Sequence, residues 1–198
     1  MVRKKTPGRP SKGAAALSRK HIIAVAAPLL QQKGLEAVSF RRLAENLGVS
    51  AMAIKYHMGS QRELLFALVE HSFRDTLGTI KGKSPAERLR HVLSMYCTRA
   101  LEHPNAVRCI LNDASLMSQE IVEITEEIRK CTQLLNDGDP KDVMLNLLVD
   151  YTHGFVFSAV ATGSDTCLTQ EDYLRSIDWT LSLCRDRKIS TPSSSRHY

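Results

Sequence analysis

The feature that most constrains this chain is the regular recurrence of helix-start signals. A Ser, Thr or Asp stands before nearly every stretch of helical apolar periodicity, several times with Pro one residue on or an acid three residues on. Ser18 is placed to cap a helix reaching Lys33 and closed by Gly34. Its residues Ile22, Ala26, Leu29 and Leu30 share a face, and Pro28 lies inside it, where a proline removes a hydrogen bond and kinks the helix. Ser39 caps Phe40–Leu47, ended by Gly48, and Ser50 caps Ala51–His57, ended before Gly59. Ser60-Gln61-Arg62-Glu63 has the form of a capping box. It opens a long helix reaching about Ile80, with Leu64, Leu65, Leu68, Phe73 and Leu77 on or near one face. Gly82 breaks the pattern, and Ser84-Pro85-Ala86-Glu87 restarts it to about Glu102, before His103-Pro104. Helices are predicted near Asn105–Asn112, Gln119–Leu135 and Pro140–Ala161, the last opened by Asp139. A final one, opened by Thr169, runs to about Arg187. About nine helices and no strand make an all-α chain.

Hydrophobic residues form 43% of 198, enough to bury a substantial core. The N-terminus is polar and charged with no apolar segment behind it, so no secretory signal is expected. The longest apolar stretch, Val143–Gly163, contains Asn146, Asp150, Tyr151 and His153. These are too polar for a lipid-spanning helix, so the expectation is a buried helix in a cytoplasmic protein with no membrane partner. The five cysteines, Cys97, Cys109, Cys131, Cys167 and Cys184, show no metal-ligand spacing and read as reduced, mostly buried thiols. No metal, cofactor or catalytic constellation is expected.

Charge is uneven. Residues 1–66 hold twelve Lys or Arg against three acids, a net +9, while the remainder holds fifteen against eighteen, a net −3. Residues 1–17, with Arg3, Lys4, Lys5, Arg9 and Lys12 among Pro7, Gly8, Pro10 and Gly13, read as a disordered basic arm, and 188–198 as a disordered polar tail. A basic end on a mildly acidic body meets a polyanion, or is simply solvated; charge alone leaves both open.

The segment Ser39–His57, SFRRLAENLGVSAMAIKYH, decides between them. It reads as helix, tight turn at Gly48, helix, with Leu43, Ala44, Leu47, Val49 and Ile54 where two crossing helices pack. The outer face of Ala51–His57 is then free for the major groove of DNA, with Arg41, Arg42, Lys55, Tyr56 and His57 around it. The alternative is a plain αα-hairpin in a bundle. Residues 21–70 resemble the DNA-binding domain of TetR-type repressors, through AAPLL followed by Gly34, then RRLAENLGVS, then a turn into an ELL helix. The resemblance implies a domain over 18–66 and a ligand-binding, dimerising bundle over 67–187. It implies a base-reading role for Arg41 and base contact by Ala51, Met52 and Ala53. It matches Tyr56 to an aromatic position and His57 to that of a phosphate-contacting His or Tyr. Lys55 stands where the family usually has tyrosine, and Gln61 where it usually has a phosphate-contacting lysine. Ser39, Arg42, Ser50 and Ser60 complete the expected interface.

The rest matches that family only by helix count and length. Met144, Leu147, Leu148, Tyr151, Phe155, Ser158 and Thr162 form a stripe on the long helix. Tyr173, Leu174, Ile177, Leu181 and Cys184 form one on the last, and the two helices together suit a homodimer interface. Tyr96, Arg99, Asn112, Met117, Asp150, Tyr151 and His153 are candidates to line a pocket for a small-molecule inducer. The expected function is a ligand-responsive regulator, a repressor by resemblance, on palindromic operator DNA. The competing readings are an enzyme, for which no nucleophile and base converge, and a helical interaction module whose basic arm binds RNA or an acidic protein.

Overall fold

The computed structural model describes residues 17–161 and 168–189. Among them it has nine α-helices and no strand: α1 (Arg19–Lys33), α2 (Phe40–Leu47), α3 (Ala51–Met58), α4 (Gln61–Phe73), α5 (Pro85–Glu102), α6 (Pro104–Asn112), α7 (Gln119–Leu135), α8 (Val143–Ala161) and α9 (Gln170–Ile189). The basic arm lies outside the described residues except for Leu17, which packs against the core rather than continuing the arm. The polar tail lies outside them too, except that Lys188 and Ile189 extend α9 beyond the expected end at Arg187.

The N-terminal caps form as their residue types require. The Ser18, Ser39, Ser50, Ser60 and Ser84 hydroxyls each accept from the backbone N–H three residues on. Such a cap satisfies a donor that a helix start leaves orphaned. Helices α1 to α4 pack as one unit, and α5 is the central post of the bundle, in contact with α6, α7, α8 and α9. One apolar cluster runs through both, from Ile22 and Leu43 to Tyr173 and Ile177. Cys97, Cys109 and Cys131 are buried, free thiols, and burial pushes the Cys97 thiol up to about 12.

Two helices differ from their expected bounds. The fourth stops at Phe73, not near Ile80. Arg74 turns out of the helix (φ −56, ψ 138) and Asp75 takes a left-handed φ of 59. The new end is held from a distance: Arg99 Nη2 donates to the Arg74 carbonyl at 3.1 Å, and Thr76 donates by N–H and hydroxyl to the Phe73 carbonyl. Leu77 and Ile80 still reach the core, but from an irregular segment whose Leu77 N–H is taken by Glu120 at 2.7 Å. Gly82 closes that segment at φ +133, where a Cβ would lie 2.6 Å from the Arg88 amide nitrogen.

The eighth helix starts at Val143, three residues after the expected Pro140. Pro140–Asp142 form a separate 3₁₀ turn in which Lys141 is left-handed. The buried Asp139 carboxylate reaches past it to accept from Met144 N–H (2.8 Å), Leu145 N–H (3.0 Å) and Asn136 Nδ2 (2.9 Å). It acts as the cap of α8 at longer reach. By length and composition the span Pro140–Ala161 is apolar enough to cross a membrane. In this fold one side, with Met144, Leu148, Phe155 and Val156, is buried in the bundle.

Burial alone would raise the Asp139 pKa. The hydrogen bonds from Met144, Leu145 and Asn136 outweigh it and hold the carboxyl below its ordinary value. A depressed folded-state pKa stabilises the protein above the unfolded value, roughly 3.9, and that contribution is lost as pH falls through the folded value. Asp139→Asn is therefore expected to lower the unfolding free energy by about 1–2 kcal/mol at pH 7. Urea titrations at several pH values should show the gap to the parent closing below about pH 4. A gap independent of pH would show that the charge plays no part.

Candidate nucleic-acid interface

The crossing of α2 and α3 is built by a few residues of each. Leu43, Ala44, Ile54 and Met58 are buried and Leu47 and Val49 half-buried against the same cluster. Between the helices Gly48 is left-handed (φ 65, ψ 30), and the Val49 N–H returns to the Ala44 carbonyl at 3.1 Å. After α3, Gly59 takes φ +80. A Cβ there would fall 2.2 Å from Glu63 Oε2, the oxygen that accepts the Ser60 N–H at 2.6 Å. The capping box and the glycine thus depend on each other, and the Ser60 contacts hold the Glu63 carboxyl below the usual range.

With Ile54 buried, α3 presents Ala51, Met52, Lys55 and Tyr56 to solvent, and Ala53 and His57 half-exposed. This helix carries no acid. Arg41 and Arg42 are exposed on α2. Arg41 Nε donates to Glu45 one turn on at 3.2 Å, a pair exposed enough to contribute little and to open at little cost. The hydroxyls of Ser39, Ser50 and Ser60 already accept backbone N–H groups, which leaves each its own O–H to donate.

Gln61 behaves differently from its neighbours. Its Nε2 donates 2.5 Å to the Val38 carbonyl, which ties the start of α4 to the turn before α2. Gln61 is itself exposed, and this bond helps position the hairpin. Arg62 is a residue that sequence reasoning missed. It donates from Nε to Ser115 Oγ (3.1 Å) and from Nη2 to the Ser115 carbonyl (3.0 Å), joining α4 to the turn after α6. Two further links cross the same joint. Asn105 Nδ2 donates to the Leu30 and Gln31 carbonyls at the end of α1, and Gln31 Nε2 donates to the Glu102 carbonyl at the end of α5. Partners some 50–75 residues apart leave no local signal in the sequence.

The seven pocket candidates do not share one cavity. Tyr96 and His153 meet in the bundle, Oη to Nε2 at 2.7 Å, and burial lowers the His153 pKa, with Asp150 partly opposing. Tyr151 stacks on Tyr173 at 5.7 Å between ring centroids. Arg99 lines a surface cleft of about 270 Å³ with Asp75, Thr76 and Glu102. Asn112 and Asp150 are exposed, and Met117 is half-buried in the segment after α6. A groove of about 560 Å³ lies between α8 and α9, lined by Leu147, Tyr151, Arg175, Trp179 and Thr180. Among the described residues no cluster of His, Cys, Asp or Glu is arranged to hold a metal.

Gln61→Ala should lower the unfolding free energy by about 1 kcal/mol, the net worth of one such hydrogen bond. Exposed Arg42→Ala should stay within about 0.5 kcal/mol. Thermal or urea denaturation checks both, and equal effects would mean the Val38 contact contributes nothing.

Residues 22–68 match the sequence model of bacterial regulatory proteins of the tetR family. Among curated relatives, an uncharacterized HTH-type transcriptional regulator, YuxN of Bacillus subtilis, is 26% identical over 136 residues, covering 65% of this chain and 45% of that protein. The class C tetracycline repressor of Escherichia coli is 44% identical over 54 residues, 27% of this chain and 25% of the repressor. The matched stretches thus span less than half of either relative. The fold as a whole is that of Mycobacterium smegmatis BioQ, with TM-score 0.68 at 24% identity over 86% of this chain and 97% of BioQ. A structure of BioQ with its natural double-stranded DNA operator superposes similarly, with TM-score 0.66 at 22% identity over 88% and 99%. The hairpin of α2 and α3 and the matched sequence over 22–68 agree: this N-terminal part of the chain is similar to the bacterial regulatory proteins of the tetR family, and the described residues share the fold of BioQ.

Proposed function

We propose that this protein is a ligand-responsive transcriptional repressor that binds palindromic operator DNA as a homodimer in the cytoplasm. One observation carries the reading: α3 is held by α2 with its outer face exposed and free of acids, beside Arg41, Arg42 and Lys55. That is the arrangement a helix needs to enter a major groove about 12 Å wide. The operator complex of BioQ, a protein of the same fold, supports it. In this reading Arg41 reads a base, Ala51, Met52, Ala53 and Tyr56 meet base edges, and Arg42, Lys55, His57 and the serine hydroxyls meet phosphate.

Homodimerisation is supported by α8 and α9, though of the described residues in the stripes expected from the sequence only Leu147 and Ser158 are exposed and several other members turn inward. Tyr173, Ile177 and Leu181 are buried within the protomer, as are Met144, Leu148 and Phe155; Ser158 is exposed and Thr162 lies outside the described residues. The large apolar residues left exposed are Val143, Leu147 and Val160 on α8, and Trp179 and Leu183 on α9. Such a concentration on two neighbouring helices suits a self-complementary contact. The inducer is proposed to bind within the bundle near Tyr96, Tyr151 and His153, with Tyr151 lining the groove between α8 and α9.

Selection from a random duplex pool at physiological salt tests the reading. It should return a palindrome with half-sites ~34–36 Å apart or a multiple. Arg41→Ala should then cost about 1–3 kcal/mol at one base position, whereas Lys55→Ala should weaken all sequences alike and reduce the salt slope by about one. Duplexes recovered with no common sequence, and displaced equally well by RNA competitor, would favour the interaction-module reading.

The switch is tested by reciprocity. A ligand found by thermal-shift screening should lose about 5–150-fold in affinity when operator is present, matching its effect on operator binding. Equal ligand affinities in calorimetric titrations with and without operator would leave a DNA-binding dimer with no small-molecule switch.

A further inference from the structure

We propose that α3 discriminates bases through thymine methyl groups, with Met52 and Tyr56 making the contact. The proposal rests on the reading of α2 and α3 as a DNA-binding hairpin and specifies what that hairpin reads. Met52 is 70% exposed and Tyr56 85% exposed, whereas Ile54 on the opposite side of the helix is fully buried. Residues four apart lie one above the other on a helix face, so the two form a continuous apolar strip. Ala51 and Ala53 beside them carry no hydrogen-bonding group. The His57 ring meets Tyr56 edge to face at 5.2 Å, which gives the tyrosine ring a fixed neighbour.

The side chains that read bases by paired hydrogen bonds are Arg and Lys on guanine, Asn and Gln on adenine, and Asp and Glu on cytosine. Between Ala51 and Met58 there is no Arg, Asn, Gln, Asp or Glu, and the single cation is Lys55. What the strip can offer a major groove is apolar surface. The floor of that groove presents one apolar group that distinguishes bases, the thymine C5-methyl. The surrounding charge selects the occupant: Arg41, Arg42 and Lys55 flank the strip, and on α2 the one acid, Glu45, is already paired with Arg41. A polyanion with methyl groups on its floor fits both the strip and its rim. Guanine recognition then falls to Arg41, and the half-site is expected to be rich in A·T pairs under α3.

Atomic substitution in the operator tests this directly with the full-length chain. On a duplex obtained by selection, each thymine of the half-site is replaced in turn by deoxyuridine, which removes only the methyl. One to three positions should each lose about fourfold in affinity, the worth of one buried methyl or methylene group. Cytosines placed at those positions should regain affinity when supplied as 5-methylcytosine. In Met52→Ala, whose exposed site makes misfolding improbable and whose helicity circular dichroism can verify, uracil and thymine should become equivalent at the position Met52 touches. Binding to a selected palindrome with no position sensitive to uracil would overturn the methyl proposal and leave the DNA-binding reading standing. Failure to select any duplex would overturn both. Uracil sensitivity that persists unchanged in both Met52→Ala and Tyr56→Ala would assign the methyl contact to other residues and also overturn the proposal.

Discussion

An all-helical chain must find partners for the backbone groups at both ends of every helix, four N–H at one end and four C=O at the other. Most of the architecture described above follows from how this chain meets that requirement. Helix starts are served locally, by Ser18, Ser39, Ser50, Ser60 and Ser84. Several ends are served by side chains from elsewhere in the chain. Asn105 covers the end of α1, Gln31 that of α5, and Arg99 the turn after α4. Because those donors sit on other helices, each such cap is also a tertiary link, and it is directional where apolar packing is not.

The links gather at the joint between the first four helices and the bundle. Helix α4 crosses it, touching α1 and α3 on one side and α6 and α7 on the other. The Arg62–Ser115 and Asn105–α1 bonds lie beside it. A displacement of α6 therefore strains polar contacts to α1 and α4 at once, and packed interiors answer such strain by moving elements as units. The orientation of α3 relative to the bundle depends on these few bonds as much as on the shared apolar cluster.

The same division between local and remote partners explains what was legible in the sequence. The α2–α3 hairpin was readable to within one residue because every determinant lies inside it: two serine caps, the glycine between the helices, and apolar residues at helical spacing. Ser60 and Glu63 were readable as a pair because they are three residues apart. The stop of α4 at Phe73 was not, since Leu77 continues the apolar pattern and the residues that end the helix include Arg99 and Glu120. The start of α8 was misplaced because Asp139-Pro140 carries the ordinary start signal, while the carboxylate bonds two N–H groups several residues later. The tie from Gln61 to the Val38 carbonyl, 23 residues earlier, likewise leaves no local signal. On α8 and α9, periodicity identified amphipathic stripes but not which side of each would meet α5. Tyr173 and Ile177 went inward, and Trp179, offset by two residues from Ile177, stayed out.

The bundle core sets terms for any ligand that enters it. Its buried aromatic hydroxyls are paired: that of Tyr96 lies 2.7 Å from His153, and that of Tyr173 2.7 Å from the Thr152 hydroxyl, which in turn donates to the Leu148 carbonyl. Burial disfavours charge on either member of the first pair, raising the Tyr96 pKa and lowering that of His153. A neutral pair is the state that results, the His153 tautomer deciding which of the two donates. Separating such a pair without replacement costs about 1–3 kcal/mol for each group left unsatisfied. That is comparable to a whole allosteric coupling of about 1–3 kcal/mol. A purely apolar ligand that parted Tyr96 from His153 would lose most of its advantage to that penalty. Any ligand that parted the pair would have to supply a hydrogen-bonding partner for both the Tyr96 hydroxyl and the His153 ring to escape that penalty.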